Sequence, residues 1–136
     1  MGVCLTLAAQ MVLERLMVTT TPSLRHRVFW LQNTGKVAQG SHQLFIHLDE
    51  RGQHLVTKRV ACTEGQLVTV HHQTVLSCDG EPIALLRKGD RPAASFNGQI
   101  PQGYCFVLGD HPDSVDSRRF GLVDRQQIVQ QAYPLW

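Results

Sequence analysis

The chain has 136 residues, 43% of them hydrophobic and 18% charged, a balance that suits one domain, or one domain with an appendage, with a packed soluble core. Thirteen Lys and Arg against eleven Asp and Glu leave a net charge of +2. That is too little to argue for a nucleic-acid partner, and no basic cluster is interleaved with aromatics.

Met1 to Val18 is apolar and rich in helix formers, so a helix is expected there. The run before Glu14 is shorter than the roughly 20 residues that cross a bilayer. Three readings stay open: an amphipathic helix packed on the domain, part of a membrane anchor, or a cleaved signal peptide. Thr19-Thr20-Thr21-Pro22 ends the helix, because β-branched residues and then proline disfavour it. The expected division is therefore 1–18 as an N-terminal helix and 19–136 as the main domain.

Short strands follow, separated by turn residues: 27–31, 43–48, 55–62, 66–70, 74–78, 82–86, 104–108 and 126–133. Residues 89–101 are polar, with Gly and Pro, and read as a loop. With hardly a helix after Val18, the fold class is all-β. There is no internal repeat, and no phosphate-cradling glycine motif supports a nucleotide site.

The cysteines are Cys4, Cys62, Cys78 and Cys105. None has Cys-x-x-Cys spacing, and the seven histidines form no ligand motif, so no metal or other cofactor is expected. Cys62 and Cys78 flank a predicted hairpin and could face each other. A disulfide there would require an oxidising compartment.

Three places could carry chemistry. Lys58 stands among Leu55, Val56, Val60 and Ala61. It is either an edge-strand lysine with its amine in water or a buried one. Burial disfavours the charged form, and a neutral amine can serve as a general base. Ser23 follows Pro22 at the helix-to-strand junction; it is either a loop serine or a nucleophile. Thr21, two residues before it, could aim a hydroxyl at the same point as the Ser23 N–H, forming an oxyanion hole. The third place is Gly109 to Gly121, with three Asp, two Ser and two Arg, read either as a self-capped loop or as a functional wall.

Taken together and in order, these blocks resemble the signal peptidase I family (S26) of serine/lysine endopeptidases. Thr21-Pro22-Ser23-Leu24 is similar to the Thr-x-Ser of its conjugal-transfer, TraF-type branch. Lys58-Arg59-Val60-Ala61 resembles the strand carrying the family's general base. Gly109-Asp110 with Asp116-Ser117-Arg118 and Gly121 resembles its most specific box. The resemblance implies Ser23 as nucleophile and Lys58 as base. It implies an oxyanion hole of Thr21 and Ser23, with Ser114 orienting the lysine and Asp110, Asp116 and Arg118 as structural supports. It implies a signal-peptidase-like β-barrel or sandwich with a short N-terminal helix. It also implies a site on the outer, periplasmic face of the bacterial cytoplasmic membrane, and a pilin precursor or other exported polypeptide as substrate. The Cys62 to Cys78 spacing resembles disulfide-bearing members of that branch.

Two departures stand out. Glu64-Gly65-Gln66 replaces the usual Pro-Gly-Asp, and Arg25 and Arg27 replace the Pro and Gly that follow the nucleophile. A general leader peptidase is the nearer rival, ranked lower because a chain of this length has little room for the family's larger insertions. A non-catalytic pilus-assembly scaffold is the other.

Overall fold

A computed structural model of the chain describes residues 2–21, 23–87, 90 and 97–136. Helix α1, Gly2–Arg15, has no buried residue. The helix expected to reach Val18 stops at Arg15, and Leu16–Val18 is instead strand β1. Tertiary pairing overrides the helix propensity of Leu and Met here. β1 lies antiparallel to β2, Val28–Gln32, with Leu16 opposite Trp30, Met17 opposite Phe29 and Val18 opposite Val28.

The remaining strands are β3, His42–Asp49; β4, Gly52–Thr63; β5, Leu67–His71; β6, Val75–Cys78; and β7, Glu81–Leu85. They are followed by β8, Gly98–Gln99; β9, Tyr104–Leu108; β10, Val123–Asp124; and β11, Ile128–Pro134. The one-turn helix α2, Ser117–Phe120, precedes β10, and a 3-10 turn at Arg125–Gln127 occupies the start of the strand expected at 126. Of the loop expected over 89–101, residues 89 and 91–96 lie outside the described residues. Its end is not a loop: Gly98–Gln99 pairs with β5.

A seven-stranded sheet runs β1-β2-β11-β3-β4-β9-β10, and a four-stranded sheet runs β7-β6-β5-β8. All described pairings are antiparallel. The architecture is thus all-β with two open sheets. Of the barrel-or-sandwich alternatives, no closed barrel is formed among the described residues.

One core gathers Ala61 and Phe106 of the large sheet with Val68, Leu76 and Ile100, all nearly solvent-free. The apolar residues at alternate positions supply it because strand side chains alternate in direction. A disulfide, Cys62–Cys78, ties β4 to β6 across the two sheets, with their Cα atoms 5.7 Å apart. A second cluster, Leu24, Phe29, Leu31, Leu44 and Ala132, seats the segment just after Ser23. β4 is the long interior strand, paired with β3 on one side and β9 on the other, and it carries Lys58.

Candidate active site

Lys58 sits on an interior strand and is only 4% exposed, so the edge-strand alternative does not apply. Its Nζ donates to Ser114 Oγ at 2.9 Å. Ser114 is itself 4% exposed. Burial pushes the Lys58 amine well down from the ordinary lysine value of 10.5; the Arg118 charge acts in the same direction, while Asp116 and Asp110 oppose it.

The loop holding Ser114 leaves β9 at Leu108 and is built on Asp116. That carboxylate, fully buried, caps α2 by accepting from the Arg118 N–H at 3.1 Å. It also accepts from the Gly109 N–H at 3.0 Å, closing the loop on itself. The Arg118 guanidinium meets it with both arms, Nε to Oδ1 at 2.9 Å and Nη2 to Oδ2 at 2.7 Å. A planar fork on a carboxylate fixes direction as well as distance. The Asp116 hydrogen bonds hold the Arg118 guanidinium above its ordinary value despite its burial. Ser117 adds a further tie, its Oγ accepting from the Val107 N–H at 2.8 Å.

The Ser23 segment is pinned to the same loop. Its carbonyl accepts from the N–H groups of Asp110 at 2.6 Å and His111 at 3.0 Å. The Asp110 carboxylate accepts from the Arg25 N–H at 2.9 Å and from Arg59 Nε at 3.3 Å. Burial pushes the Asp110 carboxyl up, but the Arg25 N–H and the Arg59 guanidinium outweigh it and leave the group below the usual carboxylate range. One aspartate therefore joins the residue after the lysine to the segment after the serine.

A cleft of about 890 Å³ brings the remaining residues together. Thr21, Ser23, Lys58 and Ser114 all line it, with apolar walls from residues such as Met17 and Leu44. Among the described residues, no hydrogen bond joins the Ser23 and Lys58 side chains; the lysine's partner is Ser114. A smaller cavity of about 260 Å³ has Lys36, Cys105 and Arg125 in its wall and none of the site residues. Burial pushes the Cys105 thiol up to about 12, which makes it a poor nucleophile. Among the described residues no group of three or more His, Cys, Asp or Glu could hold a metal ion.

Sequence reasoning did not reach Arg87, whose guanidinium donates to the Ser114 carbonyl at 3.0 Å. It stands just before a stretch read as a polar loop, and nothing in its local pattern marks it. Arg59 and Asp110 are each visible as motif residues, but their pairing across 51 residues is not.

The cleft thus combines a buried amine, the hydroxyl-bearing residues Thr21, Ser23 and Ser114 in its lining, and a braced loop beside them, an arrangement suited to a peptidase. The chain belongs to the family described as signal peptidase, peptidase S26, whose model matches residues 3–136. That membership supports peptidase function and implies an exported polypeptide as substrate. Among solved structures the chain is similar to a signal peptidase I from Enterococcus faecalis V583, at 21% identity and a TM-score of 0.49, over 74% of this chain and 98% of that one. No curated protein matches the chain.

Proposed function

We propose that the chain is a serine endopeptidase that uses Ser23 and Lys58 as a dyad. The observation carrying this reading is the buried Lys58 amine, bonded to Ser114 Oγ at 2.9 Å in the cleft that Ser23 and Thr21 also line. In the free chain the amine is held by Ser114. Substrate binding brings the Ser23 hydroxyl to it, since catalytic hydrogen bonds tighten in the substrate complex.

Neutral Lys58 takes the Ser23 proton as Oγ attacks the scissile carbonyl. The Thr21 hydroxyl and the Ser23 N–H stabilise the oxyanion. The resulting ammonium returns its proton to the leaving amine, and the acyl-enzyme passes its acyl group to water or to an amine. Asp110, Asp116 and Arg118 keep the wall in place. Transfer to the substrate's own amino terminus gives a cyclic product; transfer to water gives a linear one.

The substrate of this reading is a pilin precursor of conjugal transfer, supported by the Thr21-Pro22-Ser23 pattern. The site lies on the outer face of the cytoplasmic membrane. The Cys62–Cys78 disulfide favours an oxidising compartment. α1 leaves Val3 and Leu5 each 72% exposed, an apolar surface suited to a bilayer. No helix among the described residues is long and apolar enough to cross a membrane.

The test is cleavage of a pilin precursor, and of a general exported precursor alongside it, by the full chain. Ser23→Ala and Lys58→Met should each lower kcat/KM by about a thousandfold or more. Retained cleavage by either variant refutes the dyad, and equal cleavage of both precursors by the unaltered chain assigns it as a general leader peptidase.

A further inference from the structure

Arg87 lies two residues beyond β7, in the part of the chain belonging to the four-stranded sheet, yet its side chain works on the loop after β9. One arm of its guanidinium donates to the Pro112 carbonyl. The other, Nη2, donates to the Ser114 carbonyl at 3.0 Å. The same side chain is held from behind by Asp90, whose side chain is 0% exposed. The Arg87 N–H donates to Asp90 Oδ2 at 2.7 Å, and Arg87 Nε reaches the same oxygen at 3.4 Å. Arg119 Nε lies 3.6 Å from Asp90 Oδ1. Burial pushes the Asp90 carboxyl up, but the Arg87 N–H and guanidinium outweigh it and leave the group below the usual range.

The backbone on the Arg87 side is fixed as well. The Leu86 N–H donates to the Thr74 carbonyl at 2.7 Å, and Arg118 Nη1 donates to the Leu85 carbonyl at 3.2 Å. A rigid planar donor, oriented by a buried carboxylate and spanning two carbonyls, fixes the loop between them. The residue whose carbonyl it holds is the one whose hydroxyl meets the Lys58 amine.

We propose that Arg87 is a positioning residue: by gripping the Pro112 and Ser114 carbonyls it sets where the Ser114 hydroxyl stands, and so where the Lys58 amine points. This rests on the reading of Lys58 as the general base. Arg87 acts through Ser114, because its described bonds go to the Pro112 and Ser114 carbonyls and to Asp90. Without the grip, the loop over Lys58 opens and water reaches the amine.

The test uses the full chain, its Arg87→Gln and Arg87→Lys variants, and Lys58→Met. Two quantities are read against pH: cleavage of a quenched fluorescent peptide copied from the cleavage site of an exported precursor, and the ¹³Cε NMR titration of Lys58. The chain has three lysines, Lys36, Lys58 and Lys88, so the Lys58 signal is the one missing in Lys58→Met.

In Arg87→Gln, kcat should fall roughly tenfold with KM within about twofold, and the rising limb of the profile should move up by about one pH unit together with the Lys58 titration. Arg87→Lys should lie between the two, since an ammonium keeps the positive charge but lacks the planar fork that aims two donors at the two carbonyls. It also serves as the measurement if Arg87→Gln does not fold. A Lys58 titration unchanged from the parent chain overturns the proposal, whatever happens to activity. Full activity in Lys58→Met would instead refute the dyad, while the titration would still decide whether Arg87 positions that amine.

Discussion

Gly109 has no room for a side chain. A β-carbon there would overlap Ser114 Oγ and lie 2.8 Å from the Ser23 carbonyl oxygen. The first neighbour is the partner of Lys58 and the second is backbone of the Ser23 segment, so neither yields cheaply. Gly109→Ala is expected to cost about 1–3 kcal/mol of stability through overpacking and to lower kcat by roughly a hundredfold through displaced groups. Urea unfolding and steady-state kinetics on the same preparation check both. Lys58 gives a prediction of opposite sign. Its folded pKa is lowered from 10.5, so below that folded value the native state must hold a buried charge that the unfolded chain carries in water. Stability conferred through this residue therefore rises with pH between the folded value and 10.5. Lys58→Met should be more stable than the parent chain at neutral and acid pH. The advantage should shrink as pH approaches 10.5, as measured by urea midpoints across pH.

At the scale of elements, the loop from Gly109 to Gly121 is braced at its base by the buried Asp116–Arg118 ion pair. Breaking it by removing one partner strands a charge, so Arg118→Ala is expected to lose about 3–5 kcal/mol. Urea unfolding checks this, and an unchanged midpoint would show that the pair does not brace the loop. The disulfide between β4 and β6 closes a span of 16 residues, and its removal should lower stability by about 3 kcal/mol, read as the shift in denaturant midpoint on replacing both cysteines with alanine. The strands were largely legible in the sequence. β9 falls on Tyr104–Leu108 as its apolar run indicates, because a strand packed on a core writes its burial into its residue pattern. β1 and β8 were not legible. They are two or three residues long and exist only because a partner strand offers a ladder, a fact no local pattern carries. The same reasoning explains the site. Lys58 stands out as a charge among apolar residues and Ser23 through the family-like Thr21-Pro22-Ser23 pattern, whereas Arg87 and Asp90 gain their role only from a loop that folds back onto them.

At the scale of the molecule, the cleft is assembled from distant parts of the chain. Ser23 precedes β2, Lys58 lies on β4, and Ser114 follows β9, and the large sheet brings the three together. α1 stands apart from that assembly, having no buried residue. Deleting residues 1–14 is expected to leave Tm within about 2 °C of the parent chain, while binding to vesicles of bacterial lipid falls. A large loss of Tm would mean that the helix belongs to the folded domain. The central claim is that Lys58 is the base for Ser23. The most direct measurement overlays the pH dependence of kcat/KM on the ¹³C titration of the Lys58 side chain in the same chain. The predicted result is a single shared transition below 10.5. A Lys58 amine that stays protonated through the active range, or an activity limb that persists in Lys58→Met, would contradict it.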